Sequence, residues 1–112
     1  MKRQNKIYLN IGLKNNPFTP SEIINRLNYL GLMVQASMTK KSQYKGHKEE
    51  TLIVYSNCPY KFSKVIEILE NLCTVLNQEC ISLKYNLNDL IIYNQFKNIE
   101  PIKFSNQYFK TL

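Results

Sequence analysis

The sequence contains no tryptophan, only three glycines and a single histidine, His47, in 112 residues. It also lacks an apolar run near the ~18 residues that a transmembrane helix needs, so we expect no membrane segment. Neither glycine-rich pattern that cradles phosphates occurs, and no two cysteines form a CxxC pair. We therefore assign no catalytic residue and no metal site, and we expect no cofactor.

Cysteine is scarce as well. The chain has three, Cys58, Cys73 and Cys80, and an odd number of thiols cannot all pair in disulfides. We interpret them as reduced, mostly buried thiols of a cytoplasmic protein, with Cys58, before Pro59, as the candidate for an exposed thiol. The basic N-terminus leads into an alternating segment and not into an apolar block, which predicts no secretory signal. The length suits a single domain over residues 1–112.

Positive charge dominates and is unevenly distributed. The net charge is +7, and the first 48 residues hold nine basic residues against one acid, Glu22. Such asymmetry indicates an acidic partner, which is a nucleic acid, a nucleotide or a negatively charged protein surface. Lysine outnumbers arginine by 13 to 2, which weakens the case for nucleic acid, because arginine is the better fork for phosphates and bases.

Apolar residues alternate in some stretches and recur at helical spacing in others. The pattern predicts strands at Ile7–Leu13, Leu32–Thr39, Thr51–Tyr55, Cys80–Tyr85 and Leu90–Asn94, and helices at Pro20–Leu30 and Lys61–Leu76. A short edge strand at Pro101–Phe104 and a closing helical turn at Ser105–Leu112 are also expected. The second helix has an apolar stripe of Val65, Ile66, Leu69, Leu72, Cys73 and Leu76.

Local signals mark the helix ends. Thr19 and Glu22 form a capping box around Pro20, and Gly31 supplies a left-handed stop. Ser63 is expected to cap the second helix.

The element order β-α-β-β-α-β predicts an α+β fold. We expect a ferredoxin-like sandwich, in which an antiparallel sheet carries two helices on one face and an extra C-terminal β-hairpin. The other face is then open to solvent or a partner, and an apolar patch there implies a dimer or another partner. The residues expected to point to this face are Tyr8, Asn10, Gly12, Met33, Gln35, Ser37 and either Val54 or Tyr55.

The second and third strands lie close in sequence without a helix between them, so we expect an antiparallel hairpin. The candidate site is the polar stretch Lys40–Glu50 of this hairpin, with Tyr44–Lys48 as a flexible basic loop. His47 admits two readings, a general acid/base or phosphate contact and a plain hairpin-tip residue. Glu49 and Glu50 are expected on opposite faces and therefore do not form a paired acid site. The partner-binding candidates are Lys40, Lys41, Tyr44, Lys45, His47 and Lys48, with Tyr8 on the sheet.

The segment Ile7-Tyr8-Leu9-Asn10-Ile11 is similar to the first strand of RNA-recognition-motif domains. Those domains share the β-α-β-β-α-β order, and the resemblance implies that Tyr8 stacks on a base. In the third strand, Lys48 and Tyr55 match the first lysine and the last aromatic of that family's pattern. The glycine and the two stacking aromatics of the pattern are missing.

The longer opening Ile7–Pro17 resembles small uncharacterised proteins of phages and mobile elements, and the abundance of Asn, Lys, Ile and Tyr indicates an AT-rich genome. The resemblance implies an accessory protein that binds a host component, for example an inhibitor of a host defence protein.

Three functions follow as hypotheses. The first is a non-enzymatic binding protein that uses the basic hairpin and the open sheet face on a host protein. The second is a nucleic-acid or nucleotide binder that uses the same lysines, with Tyr8 or Tyr44 stacking on bases. The third is a small enzyme, such as a nuclease, that uses His47 or a tyrosine. A homodimer is a further expectation.

Overall fold

The structure is a computed structural model that describes residues 4–44, 46–86, 88–94 and 110–111. The elements in chain order are β1 Asn5–Gly12, α1 Pro20–Tyr29, β2 Met33–Tyr44, β3 His47–Cys58, α2 Phe62–Val75, β4 Cys80–Tyr85, β5 Asn88–Tyr93 and β6 Lys110–Thr111. The α+β class predicted from the sequence is confirmed.

The strands form one sheet in the order β5-β4-β1-β3-β2-β6, and all neighbouring pairs are antiparallel. Because β1 and β2 both run antiparallel to β3 between them, they are parallel to each other, and α1 connects them. By the same logic β3 and β4 are parallel on either side of β1, and α2 connects them.

Both helices pack on one face of this sheet. Ile7, Leu9 and Ile11 alternate along β1 and are at most 2% exposed. They share one buried cluster with residues of α1 and α2, which are Ile23, Leu27, Val65, Leu69, Leu72 and Cys73. Burying one such aliphatic side chain stabilises the fold by roughly 1.5–3 kcal/mol, so this cluster fixes the helices on the sheet. The predicted stripe of α2 is thus confirmed.

The capping box of α1 is confirmed. The Thr19 hydroxyl accepts a bond from the Glu22 amide at 3.3 Å, and the Glu22 carboxylate accepts one from the Thr19 amide at 3.0 Å. Gly31 has a φ of +87° directly after the helix, as the stop signal predicted. The predicted cap of α2 is wrong, because Lys61 is the N-cap without a side-chain bond and Ser63 already lies inside the helix.

The expected antiparallel hairpin of the second and third strands is confirmed, and both strands continue further into the polar stretch than the sequence predicts. β2 continues to Tyr44 and β3 begins at His47, so the two strands pair almost to the turn, where Gly46 has a φ of +80°. Lys41 lies opposite Glu50 in this extension. Opposite charges on facing residues favour pairing by roughly 0.2–1 kcal/mol, so this pair is compatible with a strand in a polar sequence.

The predictions for the C-terminal part of the chain are confirmed only in part. β5 begins at Asn88, two residues before the predicted start at Leu90, and pairs with β4. Lys110–Thr111 forms a strand on β2, where a helical turn was expected. The predicted strand Pro101–Phe104 lies outside the described residues, so the second half of the expected C-terminal hairpin lies there too.

A bulge in β2 reverses the predicted sidedness of its later half. Met33 and Val34 pair with Asn57 and Ser56, but the next pair is Ala36 with Tyr55, so Gln35 is the extra residue. One extra residue moves every following side chain to the other face. Met38, which the alternation placed inward, therefore shares a face with Tyr55 and is 48% exposed.

Candidate functional site

The sheet face opposite α1 and α2 carries no helix of the described residues and is termed the helix-free face. It is buried at its centre and exposed along β2. Ile53, Thr51 and Ser82 on this face are at most 8% exposed. Toward the edge of the sheet the exposure rises, and Tyr55 and Met38 are about half exposed. This face is therefore only partly open to a partner.

Two tyrosines meet on the central strands of the helix-free face. Tyr8 of β1 lies opposite Tyr55 of β3, and their ring centroids are 4.7 Å apart with the planes at 74°. The sequence left Val54 and Tyr55 as alternatives for this face, and the register places Tyr55 there. On its other side Tyr8 lies opposite the exposed Lys84 of β4.

Burial is the main cause that raises the pKa of the Tyr8 hydroxyl, and the charge and hydrogen bonding of Tyr55 add to it. Tyr8 therefore stays protonated at neutral pH and presents an uncharged ring beside a lysine.

The second surface is the far end of the β2–β3 hairpin, termed the hairpin arm, comprising Lys40–Tyr44 and His47–Glu50. It extends past the sheet centre, because the last residue of β1, Gly12, pairs with Thr51. Lys40, Lys41 and Lys48 are exposed on the arm, and Glu50 is exposed as well. The arm is thus a mixed charged surface with an excess of lysine.

Strand alternation distributes the predicted lysines over both faces of the arm. Lys40 lies opposite Thr51 and shares the helix-free face with Tyr55. Lys41 and Lys48 project from the other side, in line with buried residues such as Leu52. The lysines that form one basic group in the sequence therefore lie on two opposite faces of the arm.

The remaining predicted residues are placed as follows. Tyr44 and His47 pair through their backbones next to the turn, and Lys45 lies outside the described residues. Tyr8 is remote from the arm, because its partner Tyr55 is roughly 13 Å from Thr51 at about 3.3 Å per strand residue.

Sequence reasoning missed a polar cluster at the end of the sheet near the arm. The Gln78 amide is 7% exposed and donates to the Lys14 carbonyl at 3.0 Å, and Asn94 donates to the Gln78 carbonyl at 3.3 Å. A Cβ on Gly12 would lie 2.6 Å from Gln78 Oε1 and 3.1 Å from Glu49 Oε1, so glycine permits this close approach. These bonds tie the segment after α2 to the segment after β1 and to the end of β5, and they provide partners for the buried amides.

The described residues offer two candidate binding surfaces, the helix-free face and the hairpin arm. The described residues include no group of three or more histidine, cysteine, aspartate or glutamate residues suited to a metal. Glu49 and Glu50 lie opposite different partners, Ser42 and Lys41, as their alternation predicted. Neither helix in that part of the chain is long and apolar enough to cross a membrane.

The thiols are buried. Cys58, expected to be exposed, is 0% exposed because β3 places it on the helix-facing side of the sheet. Burial raises the pKa of the Cys58 thiol and, more strongly, that of Cys73. Both groups are therefore protonated and poor nucleophiles.

Comparison with protein families, with curated proteins and with solved structures gave no match for this chain.

Proposed function

We propose that this chain is a small non-enzymatic binding protein that binds, and thereby inhibits, a host protein through the hairpin arm and the exposed β2 side of the helix-free face. The phage or mobile-element origin, the host defence target and the cytoplasmic location in this proposal come from the sequence. The observation that carries the binding role is the arm, which places Lys41 and Lys48 past the last pair of β1 with β3, and Lys40 level with that pair.

Two features support a protein partner. The arm carries acids among its lysines, with Glu50 opposite Lys41, which suits a protein surface of mixed charge better than a phosphate backbone. Exposed apolar side chains, Met33, Met38 and Tyr55, lie on the adjoining side of the sheet. Aromatic and methionine side chains are enriched in the buried centres of protein interfaces.

The test is capture of a partner from host extract by wild-type protein and by the triple variant Lys40→Glu, Lys41→Glu, Lys48→Glu. Native mass spectrometry should find one discrete protein at fixed stoichiometry on the wild type and none on the triple variant. The matched control changes Arg26 on α1 and Lys61 and Lys64 at the start of α2 to Glu, which shifts the net charge equally but away from the arm and should retain the partner. Equal recovery by the arm variant would contradict the assignment.

The second candidate function is binding of single-stranded nucleic acid or a nucleotide. Its support is the Tyr8–Tyr55 pair on the central strands, with Lys84 beside it. Bases stack on such aromatic side chains with about 1–3 kcal/mol per base. The resemblance of β1 to the RNA-recognition motif implies the same use of Tyr8.

Fluorescence anisotropy with labelled oligo-dT and oligo-U tests this alternative. Tyr55→Ala should weaken binding about tenfold, and the affinity should fall steeply with salt. Tyr29→Ala is the matched control, because Tyr29 is 89% exposed but lies on α1. Binding that is insensitive to salt, or equally weakened by both variants, would exclude stacking on the sheet.

We also infer that β1 to β4 with both helices form a ferredoxin-like unit. The neighbour order β4-β1-β3-β2 and the two parallel pairs joined by helices support this classification. Cross-strand NOEs between β1 and β4 and between β1 and β3 in solution would test it. A homodimer remains a proposal, and sedimentation equilibrium tests it.

A further inference from the structure

The outer edge of β2 is accessible along part of its length. Among the described residues this edge pairs only with β6, at Ser42 and Gln43. At its start the Val34 amide donates to Asn28 Oδ1 at 2.9 Å, and the Met33 carbonyl accepts from the Gln35 side chain at 3.3 Å. The segment Ala36–Lys41, termed the open edge, has no strand beside it in the described part of the chain.

The open edge is solvent-exposed at every residue. It lies beside the apolar margin of the helix-free face, where Met33 is 44%, Met38 48% and Tyr55 49% exposed. An unpaired strand edge next to an apolar margin is the surface on which a partner's extended segment adds as a further strand.

The charge of β2 indicates what kind of strand fits. β2 contains Lys40 and Lys41 at one end of the open edge and no acid. Two copies of this chain, each with a net charge of +7, repel one another, which disfavours a second β2 as the occupant.

The strand on the other side of β2 provides an internal example of a complementary sequence. β3 places Glu50 opposite Lys41 and the apolar Ile53 opposite Met38. An antiparallel strand on the open edge meets the same β2 side chains in the same order, so acids at its start and alternating apolar residues after them suit it.

We propose that the open edge Ala36–Lys41 binds an extended acidic segment of a partner protein by antiparallel strand addition, with its acids at Lys40 and Lys41 and its apolar side chains at Met38 and Ala36. This inference rests on the proposed protein-binding function and specifies its recognition mode.

The test uses the purified protein and the acetylated peptide Glu-Glu-Thr-Val-Thr-Val, whose residues match the open edge in antiparallel register. Amide resonances should shift from Ala36 to Lys41, and alternate amides of this segment should gain protection from hydrogen exchange. The same peptide with both glutamates replaced by lysine should bind at least about tenfold more weakly.

Variants of the protein make the test specific. Lys40→Glu with Lys41→Glu should lower the affinity for the acidic peptide about tenfold, whereas Lys61→Glu with Lys64→Glu on α2, an equal charge change, should not. Met38→Ser should weaken binding, and Val75→Ser, which alters a similarly exposed apolar residue of α2, should not.

Amide shifts that are absent, lie elsewhere, or are equal for the acidic and basic peptides would overturn the proposal. Protection of the open edge without peptide, together with a dimeric mass, would overturn it in favour of a second copy. Since no host partner takes part, a negative result here leaves the capture experiment on the hairpin arm to decide the proposed function separately.

Discussion

Tyr8 and Tyr55 lie opposite each other on the two central strands, with ring centroids 4.7 Å apart and a steep angle of 74° between the planes. Edge-to-face aromatic pairs of this kind add about 0.5–1.5 kcal/mol beyond their buried area. The pair thus couples β1 to β3 on the sheet face opposite α1 and α2.

The pair predicts a pH dependence of stability. The folded state holds the pKa of Tyr8 above its ordinary value of 10.0, mainly through burial. Its stabilising contribution is present below pH 10 and is lost as the pH rises through the higher folded-state pKa. Urea unfolding should therefore show a decline in stability at alkaline pH that is smaller in Tyr8→Phe, while Tyr29→Phe should behave as wild type. Identical alkaline profiles of wild type and Tyr8→Phe would contradict the assignment.

Gly31 is predicted to be the most sensitive glycine. It needs a positive φ, and an added Cβ would collide with the hydroxyl of Tyr60, which donates to the Leu30 carbonyl at 3.1 Å. Gly31→Ala should lower the free energy of unfolding by about 2 kcal/mol or more.

Gly46 is the matched control, because it has a φ of +80° with open space around its Cβ position. Gly46→Ala should cost about 1 kcal/mol, from backbone strain alone. Adding Tyr60→Phe to Gly31→Ala should recover part of the loss. Equal losses at the two glycines would exclude the collision with Tyr60.

The capping box predicts a helix-end contribution at α1. Thr19→Ala should lower the free energy of unfolding by about 1 kcal/mol, since the Glu22 amide loses its acceptor. Ser21→Ala, at an exposed position in the same turn, serves as the control and should have little effect.

The same box predicts a response to acid. Hydrogen bonds from Thr19 lower the pKa of Glu22 from its ordinary value of 4.5. The ionised Glu22 carboxylate therefore contributes to the free energy of unfolding above pH 4.5. This contribution is lost as the pH falls through the lower folded-state pKa of Glu22. Thr19→Ala removes the hydroxyl but keeps the backbone amide that is the larger cause of the shift. An NMR titration of the Glu22 carboxyl should therefore show the lowered pKa in wild type and a smaller lowering in Thr19→Ala.

Buried thiols predict slow chemical labelling. Cys58, Cys73 and Cys80 are at most 4% exposed, so a thiol reagent at pH 8 should react with none of them quickly. Urea above the unfolding midpoint should expose all three. Val75→Cys provides an exposed thiol on α2 that should react at once, and fast labelling of the wild type would show that a cysteine is accessible.

The sequence predicted the elements whose signals are local. The capping box at Thr19 and Glu22 and the stripe from Val65 to Leu76 depend on residues three or four positions apart, and the structure reproduces both. Ser63 illustrates the limit, because a hydroxyl near a helix start is only one candidate cap, and Lys61 takes that place.

The candidate site was less predictable, because it depends on pairing between distant segments. By its composition the polar stretch from Lys40 to Glu50 suggests a loop. Only the register of β2 on β3, which places Lys41 opposite Glu50, shows that most of it is strand. The placement of Tyr55 opposite Tyr8 likewise requires the register of β1 on β3.

By itself the sequence determined the α+β class, the positions of both helices, the net charge and the burial of the apolar stripes, because these follow from local spacing and composition. Tertiary structure alone decided which residues of β2 share a face with those of β3. One extra residue, Gln35, turns Ala36 and Met38 away from the helices, and alternation separates Lys40 from Lys41. A strand has a period of two, so one bulge reverses every side chain beyond it, and no local pattern reports where that bulge occurs.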